Sequence, residues 1–160
     1  MVIGAAALAV HGYARQSVDL DLATYENPFE SFDNLAERLA AAGFQVEAIK
    51  PDADDPLGGA INITGPDFDL VQIINFMNPL HPQRVHQLVG QALAELSSDS
   101  EELQVVSIEL LIMLKLYAGD QQSLSDIHKL LEANPTLDKT RITELARTAG
   151  LDHAWQAFGL

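Results

Sequence analysis

The alternation of apolar and polar positions divides the chain into a mixed first half and a helical second half. Small apolar residues run from Gly4 to Tyr13, which predicts a tightly packed helix after a very short strand at Met1 to Ile3. Period-two alternation follows from Ser17 to Thr24, with Val18, Leu20 and Leu22 on one face and Ser17, Asp19 and Asp21 on the other. Asn27-Pro28 interrupts it, and Phe29, Phe32, Leu35, Leu39 and Ala42 then recur at helical spacing until Gly43 supplies a stop. Phe44 to Ile49 and Ala60 to Thr64 read as strands flanking an acidic turn region, Pro51 to Gly59. Beyond the Gly65-Pro66 turn, Asp67 to Phe76 is the longest strand expected. Asp67, Asp69, Val71, Ile73 and Asn75 share one face of it, and Phe68, Leu70, Gln72, Ile74 and Phe76 the other.

After Asn78-Pro79 the strand signal stops. Helical periodicity covers Pro82 to Leu96, Ser107 to Tyr117, Leu124 to Glu132 and Lys139 to Ala149, with a short closing segment ending at Leu160. Trp155 and Phe158, three apart, are expected to anchor that segment. The order predicts an α+β chain: a mixed sheet with flanking helices over residues 1–78, then a helical bundle over 79–160 packed on it. The strand at Met1 is so short that an upstream element is expected to be missing.

Composition narrows the chemistry. At 160 residues the chain is the size of one domain with one site. No apolar run approaches the roughly 18 residues of a membrane span, and Met1 to Val10 lacks the basic start of a signal peptide. Cysteine is absent, which removes thiolate chemistry and leaves hard-cation or imidazole sites, and the cytoplasm is the expected compartment. Nine basic residues against 23 acidic ones give a net charge of −14. Only Arg15, Arg38 and Lys50 lie in the first seventy residues, so extended duplex nucleic acid is disfavoured as a partner. The five histidines form no pair at i, i+4, so zinc is not expected, and His11 is expected to pack or hydrogen-bond at a helix end.

Asp19 and Asp21 are the candidate chemistry. Two apart on a strand, their carboxylates project from one face, where they either form a solvated acidic edge or share a divalent cation. Asp69 on a second strand offers a third oxygen ligand if the strands are neighbours, and a proton acceptor. Gly4 lets the backbone approach a phosphate. A dinucleotide-binding fingerprint is not formed, because Ala6 stands at the second glycine and Leu8 and Ala9 at the third.

With Gly4, the run His11, Gly12, Arg15 and Ser17, and Asp19-Leu20-Asp21 in this order, most of the chain resembles the nucleotidyltransferase superfamily that includes DNA polymerase beta. It is most similar to the minimal bacterial members found in abortive-infection and toxin-antitoxin pairs. The resemblance implies catalytic and metal-binding roles for Asp19, Asp21 and Asp69, with Mg²⁺ as the cofactor. It implies nucleotide contacts from Gly4, Ala5, Arg15, Ser17 and Lys115. Ala5 replaces the family's usual Gly or Ser, leaving only its backbone amide for the triphosphate. Val106 to Gly119 resembles a family helix ending Lys-Leu-x-Ala, here Lys115 to Ala118. Lys115 shares a face with Ile108, Leu111 and Ile112, so it either snorkels to water or meets an anion. Asp126 follows Ser123 at capping-box spacing, which makes it a helix start or a partner for Lys115. Arg15 faces either phosphate or a nearby acid.

The implied activity is transfer of a nucleotidyl group from a nucleoside triphosphate to a protein, RNA or small-molecule acceptor. The alternative is a non-catalytic binding module of the same fold, such as the antitoxin half of a pair, with a protein partner encoded nearby.

Overall fold

Backbone pairing joins the alternating segments into one four-stranded mixed sheet: β1 (Asp19–Thr24), β2 (Gln45–Ile49), β3 (Ala60–Gly65) and β4 (Phe68–Asn75), in the order β1-β4-β3-β2. The computed structural model describes residues 1–96 and 102–158, so the last two residues of the closing segment lie outside the described residues. β2, β3 and β4 form an antiparallel meander, and β1 joins β4 in parallel. Such a parallel pair needs a long crossover, which the helix α2 (Pro28–Ala41) and β2 and β3 supply.

α2 starts where the sequence breaks, with Pro28 in its first turn and the Asn27 side chain accepting a hydrogen bond from the Phe29 N–H at 3.2 Å. Its apolar stripe brings Phe32 onto Ile61 and Ile63, with Leu35, Leu39, Val46, Val71 and Ile73 around them. Phe29, expected in that stripe, sits in the first turn and is left 67% exposed.

The strand expected at Met1 to Ile3 is reduced to isolated bridges, Val2 with Leu22 on one side and with Val105 on the other. These bridges tie the edge of β1 to the chain just before the helix that starts at Ile108, and the Ile3 N–H donates to the Asp21 carbonyl at 2.9 Å. α1 (Gly4–Val10) is shorter than its apolar run, which extends to Tyr13. It ends at His11, whose ring bonds the Val106 carbonyl at 2.7 Å and whose own carbonyl accepts from the Asn134 amide at 2.8 Å, as expected for a histidine at a helix end.

The remaining helices are α3 (Arg84–Glu95), α4 (Ile108–Ala118), α5 (Gln121–Ala133), α6 (Lys139–Ala149) and α7 (Asp152–Gln156), which makes seven among the described residues. α4 is apolar almost all round, as a central helix must be, and buries Leu110, Leu111, Ile112, Met113 and Leu116. Its Ser107 cap and the left-handed Gly119 set its two ends. The main core gathers Leu8 of α1, Ala23 of β1 and Phe76 with Val89, Ile127, Ile142 and Trp155 of the later helices, so both halves of the chain share it. Trp155 is buried, donates its indole N–H to the Thr143 hydroxyl at 3.0 Å and stacks on Phe158, which makes it the anchor its spacing suggested.

Candidate functional site

The site is built where α1 meets β1. Asp19 and Asp21 occupy alternate positions of β1 and therefore project from one face of the sheet. Gly4 has a φ of 62°, and a Cβ built on it would stand 2.0 Å from Oδ2 of Asp21. Glycine is thus required twice, by its backbone conformation and by the carboxylate pressed against it. The Ser17 hydroxyl donates to Oδ1 of Asp19 and fixes that side chain. Gly4, Ser17, Asp19 and Asp21 therefore come together, while the side chain of Ala5 is buried in packing.

A second cluster adjoins the first. Asp126 is fully buried, and its Oδ2 lies 2.8 Å from Lys115 Nζ and 3.4 Å from Arg15 Nε. Its other oxygen accepts from the Gln122 amide at 2.9 Å. Asp126 is therefore not a helix start. α5 begins earlier, at Gln121, because Asp120 caps it: the Ser123 N–H and hydroxyl both donate to the Asp120 carboxylate, at 2.9 and 2.6 Å. Those bonds hold the Asp120 carboxyl below its usual pKa. Lys115 does not snorkel; its side chain is only 12% exposed and is tied to the buried acid. Of the two roles weighed for Arg15, the structure shows the ion pair.

Electrostatics separate the two clusters. Asp21 is pushed above its ordinary carboxylate pKa, first by burial and then by the charge of Asp19; the charges of Lys115 and Arg15 oppose this and do not cancel it. The two cations thus offset the burial of Asp21 and the charge beside it only in part.

Asp69 stands apart. The parallel register pairs Asp19 with Leu70 and Asp21 with Gln72, so the β4 residues on the acidic face are Leu70, Gln72 and Ile74. Asp69 alternates onto the opposite, α2-covered face, where it lies exposed at the start of β4. The neighbour of Asp21 is an amide. Gln72 donates to Asn62 at 2.8 Å, and Asn62 donates to Glu47 at 3.2 Å, which continues a polar row across the sheet from Asp21. Among the described residues, no group of three or more histidine or acidic side chains is placed to hold a metal ion. The expected convergence of Asp19, Asp21 and Asp69 is not formed.

Two residues, Gln72 and His86, escaped sequence reasoning, and Asp126 was expected only as a helix start or a partner for Lys115. Gln72 could be placed beside Asp21 only once the register was known. Asp126 left a signal, since Ser123, Asp126, Ile127 and Leu130 make one buried stripe of α5 at helical spacing. His86 lies with Val85, Leu88 and Val89 on the buried side of α3 and borders a cavity next to Gly4 and Lys115. Compared with known proteins, the chain matches no family model and no curated protein.

Proposed function

We propose that this chain binds a nucleoside triphosphate with Mg²⁺ at Asp19 and Asp21 and transfers its nucleotidyl group to an acceptor. The observation that carries the reading is the crowded acidic pair: two carboxylates on one strand face, one of them pressed against a glycine, with the nearby cations engaged by Asp126 and offsetting the pair only in part. That donor set fits a hard divalent cation, whose oxygen preference and charge relieve such crowding. When bound, the ion would neutralise the triphosphate and polarise its reacting phosphoryl group.

The chain's own residues supply the rest. Ser17 orients Asp19, and Gly4 leaves room at Asp21 for backbone approach. Lys115 and Arg15, held by Asp126, add positive potential beside the pair. The acceptor is a protein, an RNA or a small molecule, and Glu47 at the end of the polar row tilts the choice away from RNA.

A second reading, binding without transfer, is favoured by one observation. Gln72 stands where a third carboxylate beside Asp21 would stand, and an amide does not take up the proton of an attacking hydroxyl. Incubation with each labelled triphosphate and Mg²⁺ separates the two. Triphosphate binding that vanishes in Asp19→Asn, with pyrophosphate release and label on an acceptor, supports transfer. The same binding without pyrophosphate release supports the binding module. No Mg²⁺-dependent binding of any triphosphate at millimolar concentration rejects both.

A further inference from the structure

The segment that leads into β1 carries a hydroxyl whose proton is already engaged by a carboxylate. Ser17 is exposed and donates to Oδ1 of Asp19, which leaves Oδ2 of that side chain for a cation. Among the described residues no other hydroxyl is hydrogen-bonded to either acid of the pair. At this bond the surface opens into a hollow of about 580 Å³ lined by Gln16, Ser17, Val18 and Asp19, with Val18 left 78% exposed. That volume is within the usual span of small-molecule sites, roughly 300 to 1,000 Å³. A phosphoryl group therefore has room to reach the hydroxyl.

The proton acceptors at the site favour the same group. A hydroxyl from a separate acceptor molecule needs a base close to the reacting phosphorus. Asp69 lies on the other face of the sheet, and Gln72 is an amide with an N–H given to Asn62, so neither takes up that proton. Ser17 brings its base with it. A serine hydroxyl is a weak nucleophile until a neighbouring base draws on its proton, and Asp19 stands in that position.

We infer that the acceptor of the nucleotidyl group is Ser17 of the same chain, an inference that rests on the triphosphate binding and transfer proposed above. Ser17 Oγ bonds to the α-phosphorus, the bond from that phosphorus to the oxygen bridging to the β-phosphorus breaks, and pyrophosphate leaves with the electron pair. The hydroxyl proton passes to Asp19 and from there to water. The product is a serine phosphodiester in the hollow, where it occupies the space above Asp19 and ends the hydrogen bond that Ser17 gave. The reaction thus stops after one nucleotide per chain, and the modified chain no longer accepts a triphosphate.

The test is incubation of the whole chain with Mg²⁺ and each of the four ribonucleoside triphosphates, labelled at the α-phosphorus, with no acceptor added. Label should enter the chain to a limit of one nucleotide, with an equal amount of pyrophosphate and a rate constant independent of chain concentration. Fragment masses should place the nucleotide on Ser17. Calorimetry of the modified chain, freed of unbound nucleotide, should show its affinity for Mg²⁺-triphosphate lowered at least tenfold. Ser17→Ala should take up no label, and Ser17→Cys should form a sulfur–phosphorus link that iodine cleaves while the wild-type link resists. Should Ser17→Ala lose triphosphate binding because Asp19 is no longer oriented, the labelled residue in the wild-type chain decides. Label on any other residue, a rate constant that rises with chain concentration, or an unlabelled chain despite pyrophosphate release overturns the inference. Pyrophosphate released only when a separate acceptor is supplied also overturns it and leaves the proposed function standing. Triphosphate bound with no pyrophosphate released under any condition overturns transfer as well, and no triphosphate bound overturns the binding site itself.

Discussion

Asp126 on α5 and Asp21 on β1 are neighbouring acids withdrawn from water to different degrees, and their surroundings treat them differently. Asp126 has no exposed surface, yet Lys115 and Arg15 converge on one of its oxygens and Gln122 on the other. Asp21 is half-buried, has Asp19 beside it on the same strand, and feels those two cations only at second hand. A buried charge with its partners fixed works as a joint, here between α4, α5 and the segment leading into β1. A half-buried charge left uncompensated is a place for a ligand to bind. The pair thus separates what holds the frame from what the frame presents.

The strongest way to break this comparison is at the joint. Asp126→Asn keeps the side-chain shape but leaves Lys115, and in part Arg15, withdrawn from water without their counter-charge. Urea unfolding should show a loss of about 3 to 5 kcal/mol, the usual cost of removing one partner of a buried pair. A loss under about 1 kcal/mol would mean that Lys115 reaches water easily and that the cluster is no joint.

Asp21→Asn should act in the opposite direction and more weakly. Because the folded-state pKa of Asp21 is raised above 3.8, the folded chain binds this proton more tightly than the unfolded chain does. Ionised Asp21 therefore lowers stability at neutral pH. That loss shrinks as pH falls through the raised value and is gone below about 3.8. The substitution should stabilise the metal-free chain at pH 7 by under about 1 kcal/mol, since solvent screens a half-exposed group. Its advantage should close as the pH is lowered, and saturating Mg²⁺ should reverse it by stabilising only the wild-type chain. Stability curves that run parallel from pH 7 to pH 3, with equal Mg²⁺ responses, would remove Asp21 from the site.

How much of this was legible in the sequence depended on which interaction decided each feature. Local periodicity was enough for β1, for α2 and for the helices after Asn78, because burial of one face dictates period. It also put Asp19 and Asp21 together, since strand alternation requires it. Competition between local signals was harder to read. The spacing pointed to Ser123 as the cap of α5, and the acid three residues before it, Asp120, caps the helix instead. Strand register was not legible at all, because it is settled by pairing between segments some fifty residues apart, and a slip of one residue exchanges the two faces. Asp69 was assigned to the site on its residue type and strand, and the register sends it to the other face. His86 gave no sign, since what surrounds a buried ring is a property of the packed molecule alone.

The smallest expected effect tests that register. Asp69→Asn removes an exposed charge on the face away from Asp21, so stability should stay within about 0.5 kcal/mol and the Mg²⁺ response should be unchanged. Gln72→Asp is the informative counterpart. It places a third carboxylate beside Asp21, so the metal-free chain should lose stability through like-charge crowding, and added Mg²⁺ should raise its melting temperature by more than it raises that of the wild type. The opposite outcome, a Mg²⁺ response lost in Asp69→Asn and unaltered in Gln72→Asp, would require β4 to sit one residue out of its present register against β1. That slip would also turn Val71 and Ile73 away from Phe32 and undo the apolar layer under α2. A chain that answered in this way would therefore have to show a second failure, a large insensitivity of stability to Val71→Ala. With Val71 packed against Phe32 as seen here, truncating it should instead cost roughly 1 to 3 kcal/mol.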